Sequence, residues 1–142
     1  HGIKYANGVN VSLDRKKVYV AAASDLKVLI YDRDSTSGGL TKSGEINTNT
    51  GVDNIEIDAE DNLWIGCHPQ LLKFLSHAKD EGAKSPSEVI RLKNLGDGKF
   101  EQETIYMNDG AEISASSVGA VYGNKLLIGP VFQRHFIIAE RK

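Results

Sequence analysis

Residues 53–65 read Asp53-Asn54-Ile55-Glu56-Ile57-Asp58-Ala59-Glu60-Asp61-Asn62-Leu63-Trp64-Ile65. A small polar pair opens the stretch, an alternating apolar run follows, and a polar turn leads into a second apolar run, which is the pattern of an antiparallel hairpin. The same order recurs twice. Upstream, Asn7-Gly8-Val9-Asn10-Val11-Ser12 precedes a turn at Asp14-Arg15-Lys16 and the run Val18-Tyr19-Val20. Downstream, Ser116-Ser117-Val118-Gly119-Ala120-Val121 precedes Gly123-Asn124 and the run Leu126 to Ile128. The units open at Asn7, Asp53 and Ser116, 46 and then 63 residues apart, the excess falling in the Gly/Ser/Asp-rich stretch Gly96 to Ser116.

Further strands are predicted at Val28 to Tyr31, Leu40 to Ile46, Leu71 to Leu75, Glu88 to Leu92, Glu103 to Tyr106 and Phe136 to Ile138. Leu71 to Lys79 also has helical spacing, but its place inside the second unit predicts a strand followed by an insertion. A period near 45 with four strands per unit is the mark of propeller blades, whose repeats run ~40 to 50 residues. The expected fold is therefore an all-β β-propeller: about three four-stranded blades of a six-bladed ring, at residues 5–50, 51–98 and 99–142. Rings close with 4 to 8 blades, so three leave apolar faces and strand edges uncovered. The expected partner is the other half of the ring, on the same or a separate chain, or a second copy of this one.

Composition narrows function only at the extremes. The 142 residues are 40% hydrophobic and 25% charged with a formal net charge of -2, which offers no basic arm for nucleic acid. No apolar run approaches the ~20 residues of a membrane-spanning helix. The lone Cys67 cannot form an internal disulfide. The chain starts at His1 without an initiator Met or a signal-like apolar run, which is read as a cut boundary and leaves the compartment unassigned. Nucleophile-elbow, phosphate-loop, dinucleotide and zinc spacings are all missing from the sequence.

Five blocks carry a more specific signal: Tyr5-Ala6-Asn7-Gly8-Val9-Asn10, Val52-Asp53-Asn54, Leu63-Trp64-Ile65-Gly66-Cys67-His68-Pro69, Ser87-Glu88-Val89-Ile90-Arg91-Leu92 and Lys125-Leu126-Leu127-Ile128-Gly129. Together, in order and nearly without gaps from Tyr5 to Phe132, they resemble the C-terminal half of a paraoxonase. Strictosidine-synthase-like and gluconolactonase-like propellers share the Asn-Gly entry, but the Trp-x-Gly-Cys-His-Pro block favours paraoxonase. The resemblance implies a calcium-dependent hydrolase of lactones and aryl esters, with organophosphates as a further substrate class.

Carried over residue by residue, Asn7, Asp53 and Asn54 match three calcium ligands of that family. The chemistry suits the match, since Ca²⁺ takes 6 to 8 oxygen ligands and these side chains offer hard oxygens. Asx residues before strands commonly make Asx turns instead. Equivalent places in adjacent repeats, inside matching blocks, favour the ligand reading for Asn7 and Asp53. His68 matches a family active-site histidine, which implies a role in moving protons or positioning substrate; the alternative is a histidine packed at a blade end. The resemblance thus makes His68, Asp53 and Asn7 the catalytic candidates and Tyr5, Ser117 and Val131 the substrate-lining ones. Cys67 is expected to be buried and inert, and Trp64, Phe132 and Phe136 to lie in the core.

The sequence departs from the family in one respect: His135 to Glu140 lacks the cysteine whose disulfide closes the ring in animal paraoxonases. Those relatives imply a secreted or membrane-associated setting, which this departure leaves open. The family's histidine dyad, its Glu ligand and another Asn ligand belong to the N-terminal half. Two alternatives to an enzyme remain: a non-catalytic propeller that keeps calcium as a structural plug and binds partners, and a half-ring that self-assembles.

Overall fold

The structure, a computed structural model, describes residues 2–141; His1 and Lys142 lie outside the described residues. The chain is all-β and forms three antiparallel sheets that pack face to face as part of a propeller. The first sheet holds β1 (Ala6–Val11), β2 (Lys17–Ala22), β3 (Lys27–Arg33) and β4 (Leu40–Asn47). The second holds β5 (Gly51–Ile57), β6 (Leu63–His68), β7 (Ser87–Gly96) and β8 (Lys99–Asn108). The third holds β9 (Ser116–Tyr122), β10 (Lys125–Pro130) and β11 (Ile137–Glu140).

The 46-residue repeat survives at the level of single hydrogen bonds. In the β1–β2 turn, Ser12 accepts at its carbonyl from the Arg15 N–H, and Arg15 has a left-handed φ of 61°. In the β5–β6 turn, Asp58 accepts from the Asp61 N–H, and Asp61 has a φ of 62°. Asp58 is buried and does more than turn the chain. Its carboxylate accepts from Trp64 Nε1 at 2.8 Å, from Asn62 Nδ2 at 2.9 Å, and from the backbone of Asn62 and Glu60. Burial raises the cost of its charge, but the donated hydrogen bonds outweigh burial and hold its pKa below the ordinary value.

Three expectations are corrected. Leu71–His77 is a helix, α1, and not a strand. The Phe74 N–H bonds the Gln70 carbonyl and the Ala78 N–H bonds the Phe74 carbonyl. The 3.6-residue period turns Leu71 and Phe74 inward while Leu72 and Leu75 stay exposed. Second, the 98/99 blade boundary falls inside a hairpin: β7 and β8 pair from Ser87↔Asn108 to Gly96↔Lys99. Residues 99–108 therefore complete the second blade, and the third has three strands among the described residues. Asp97 and Gly98, both at positive φ, make that two-residue turn. Third, Phe132 and Phe136 are exposed, whereas Trp64 is buried as expected.

The core has two layers, one in each gap between sheets. Tyr19, Ala21, Val28 and Ile30 of the first sheet meet Val52, Ile55, Leu63, Ile65, Cys67, Ile90 and Leu92 of the second. Trp64 and Val89, on the opposite face of that second sheet, meet Ile113, Leu126 and Ile128. Every residue of β6 is consequently buried, which explains why Leu63 to His68 reads as a continuous apolar run rather than an alternating one. At about 1.5–3 kcal/mol for each large apolar side chain removed from water, these layers supply most of the attraction between blades.

Glycines set how closely the sheets approach. A Cβ on Gly66 would lie 2.3 Å from the Ser117 carbonyl carbon, and one on Gly8 would lie 2.4 Å from the Asp53 carbonyl oxygen. Gly66→Ala is expected to destabilise the complete protein by about 3 kcal/mol, because backbone and not a movable side chain blocks the methyl. Gly44→Ala, where the added carbon would make ordinary 3.7 Å contact with Ile30, should cost far less; urea unfolding midpoints check both. For Asp58, whose folded pKa lies below its unfolded one, the stability contribution is present above the unfolded value and is lost as pH falls through the folded one. Asp58→Asn should therefore flatten the acid side of the stability–pH curve.

Candidate active site

Each inner strand carries an irregularity at the same level, near its start. In β1, Asn7 and Gly8 fall between the Ala6↔Ala22 and Val9↔Val20 pairs; in β5, Asp53 and Asn54 fall between Val52↔Cys67 and Ile55↔Ile65. In β9, Ser117 falls between Ser116↔Pro130 and Val118↔Gly129. A bulge inserts an extra residue and re-aims a side chain out of the alternation. Three aligned bulges thus present Asn7, Asp53, Asn54 and Ser117 at one end of the blades. The contact of Gly8 with the Asp53 and Asn54 backbone makes the first two bulges direct neighbours. Asn54 Nδ2 links the second to the third by donating to Ser117 Oγ at 2.8 Å and to its carbonyl at 3.3 Å.

β6 ends at the same level and delivers His68. Its Nε2 lies 3.0 Å from Asp53 Oδ2, and both side chains are buried. An ionised carboxylate only accepts, so Nε2 carries the hydrogen and donates. Nδ1 of the same ring is buried without a hydrogen-bond partner. Phe74 of α1 stacks on the imidazole, with ring centroids 3.9 Å apart and planes 17° from parallel. The helix that the sequence reading rejected therefore positions the histidine. Its signal is present in the helical spacing of Leu71 to Lys79.

The remaining candidates take varied places. Asn7 is exposed. Tyr5 is exposed, has a left-handed φ of 54°, and accepts at its carbonyl from the Ala23 N–H. Val131, beyond β10, is partly exposed and donates its N–H to the Ala115 carbonyl. Ser117 is tied to Asn54, whereas its neighbour Ser116 is buried. Ser116 Oγ accepts from the Glu88 N–H at 2.9 Å, joining the second and third blades.

The donor set suits a hard cation. No hydrogen bond among the described residues uses the Asn7 side chain, Asp53 Oδ1 or Asn54 Oδ1. Asn54 is oriented through its nitrogen, which leaves its oxygen available, and Asp53 adds a negative charge. These three side chains offer fewer oxygens than the 6 to 8 that Ca²⁺ takes. Cys67 lies one residue from His68 but has the wrong chemistry for a nucleophile. Burial, reinforced by the nearby Glu88 charge, pushes its thiol pKa well above the ordinary value.

The sequence profile of the arylesterase family matches residues 1–139. The chain is 37% identical over 134 residues to human serum paraoxonase/arylesterase 1, an alignment covering 94% of this chain and 37% of the relative. It is likewise 37% identical over 134 residues to rabbit serum paraoxonase/lactonase 3, with the same coverage. Rat serum paraoxonase/arylesterase 2 is 35% identical over 134 residues. The chain spans just over a third of the length of these curated relatives. The buried, uncharged Cys67 should resist thiol reagents in the folded protein and react at the free-thiol rate only after unfolding; labelling with a chromogenic disulfide in and out of urea checks this.

Proposed function

The chain belongs to the arylesterase family, the family of the serum paraoxonases, and from that premise we propose that it forms part of a calcium-dependent hydrolase acting on lactones and aryl esters. The observation that carries this reading is the buried Asp53–His68 pair, set 3.0 Å apart beside the Asn7 and Asn54 amides on aligned bulges. The names of the relatives support the substrate classes: two are called arylesterases and one a lactonase. Organophosphates follow the family resemblance as a further class.

In this proposal Asn7 Oδ1, Asp53 Oδ1 and Asn54 Oδ1 hold the ion. When bound, calcium supplies positive charge that polarises an ester carbonyl and offsets the developing oxyanion. The side chains of this chain do the rest of the positioning. Ser117 fixes the Asn54 amide, so its oxygen needs little reorganisation to coordinate. Asp53 holds the His68 tautomer through Nε2, and Phe74 fixes the ring plane. Nδ1, enclosed and without a partner here, is then the ring atom left to accept a proton from an attacking water admitted to it in the complete ring. Tyr5 and Val131 line the approach for the acyl group. The remaining oxygens and a further base come from the part of the ring that this chain does not supply, on the same polypeptide or on a second copy.

A second reading follows from the depth of the pair. With Asp53 and His68 both buried, the ion serves only as a plug that ties the inner strands together. The two readings separate in the complete protein. Asp53→Ala is expected to abolish both calcium binding and hydrolysis of a chromogenic aryl ester, by at least a hundredfold in kcat/KM. Calcium occupancy that is unchanged by isothermal titration would overturn the assignment of Asp53 as a ligand. His68→Gln should keep calcium and lose rate; calcium binding with no hydrolysis by the unsubstituted protein would favour the plug.

A further inference from the structure

A second concavity lies at the opposite end of the blades from Asp53 and His68, between the first and second sheets. It has a volume of about 440 Å³, within the ~300–1,000 Å³ range of small-molecule sites. Its floor is Tyr19 of β2, only 3% exposed. Phe100 of β8 meets that ring edge to face, with centroids 6.0 Å apart and planes at 87°. The Tyr19 hydroxyl bonds no described residue, yet it is not among the fully enclosed unpartnered atoms. It therefore opens into the cavity, where nothing in the protein satisfies it. Burial pushes its pKa up to about 12, with the Asp61 and Asp14 charges adding to the effect, so the hydroxyl stays protonated.

Charge decides what such a cavity takes. Its wall carries the carboxylates of Asp14, Glu45, Asp61 and Asp97 against the single ammonium of Lys17. That ammonium is bonded to Asp32, and Glu45 is neutralised by Lys27 and Lys42. Asp14 has only a loose, exposed pairing with Lys16 at 3.9 Å. Asp61 accepts from the Leu13 N–H and from Asn94 Nδ2, but among the described residues no cation pairs with it or with Asp97. A net negative wall repels anions. An apolar cation fits both halves of the surface, because aromatic rings and uncompensated carboxylates are the partners that alkylammonium groups select.

We propose that this cavity binds a small organic ammonium, with the partly exposed Phe100 ring forming its apolar wall, Tyr19 lying at its floor and Asp61 countering the charge. The site is independent of the ester-hydrolysing centre, because the two lie at opposite ends of the blades. The test uses the complete protein and the probe tetramethylammonium chloride, followed by saturation-transfer NMR, with neutral tert-butanol as the control of similar shape. The expected result is a saturable tetramethylammonium signal that exceeds that of tert-butanol. Phe100→Leu and Asp61→Asn should each weaken it about tenfold, and Asp53→Ala at the other end should leave it unchanged. Asp61 also supports two hydrogen bonds, so Phe100→Leu keeps the test valid if Asp61→Asn unfolds. A tetramethylammonium signal no larger than that of tert-butanol, or one indifferent to Phe100→Leu, overturns the proposal. Loss of the signal in Asp53→Ala alone also overturns it, by placing the cation at the other site.

Discussion

The whole arrangement depends on how closely neighbouring inner strands approach. At Gly8 and Gly66 the missing Cβ is the space that the adjacent backbone occupies, with carbonyl and Cα atoms where a side chain would begin. Closer approach lets the second sheet be buried on both faces, so Leu63, Ile65 and Cys67 pack one way and Trp64 the other. Two apolar layers then hold three sheets with no disulfide. Polar links also cross the seams: among them Asn10 Nδ2 donates to the Ile55 carbonyl, the Leu13 N–H donates to Asp61, and Ser116 joins the backbones of β6 and β7 to β9. Burial supplies the attraction, and these bonds fix the register.

The same geometry builds the candidate site. A strand alternates its side chains, so an inner strand that packs on neighbours cannot also aim successive residues at one point. The bulges resolve this conflict by spending one residue of pairing at Asn7–Gly8, Asp53–Asn54 and Ser117. Gly8 serves both purposes, since it widens the bulge and admits the next strand. Asp53 is buried with its carboxylate beside His68. The His68 Nε2–H offsets the burial penalty on one oxygen and leaves the other uncommitted.

Much of this was legible in the residues, for reasons that also explain the failures. The hairpins were readable because apolar alternation and turn chemistry are local: Ser12 and Asp58 turn the chain in the same way 46 residues apart. The Asn7 and Asp53 candidates were readable because a repeat places equivalent residues at equivalent depth. The errors arose where tertiary context overrides spacing. The repeat demands a third strand at Leu71 to Leu75, yet Glu88 pairs with Cys67 and leaves residues 69–86 as a connection across the site end. That misassignment moved the blade boundary, and it hid Phe74 as the group that stacks on His68. The Asn54–Ser117 bond joins residues 63 positions apart, and no local signal announces it.

Two deficits in the described residues point in one direction. The face of the first sheet turned away from the second presents Val9, 63% exposed, and Val11, which pair with Val20 and Val18 on the same side. The third sheet turns Tyr122 and Ile138 outward in the same way. Faces of this composition are what the inner gaps cover, so exposure of both leaves unburied the kind of surface that holds the blades together. The second deficit is in the candidate ion site, where three side chains offer oxygens to a cation that takes at least six. Adding blades corrects both together, because each new inner strand would bring one more apolar face to an open side and one more bulge to the ring of oxygens. The chain itself covers just over a third of its relatives' length. Burial and coordination are therefore incomplete at the same edges, and the proposed chemistry belongs to the closed ring rather than to any single blade.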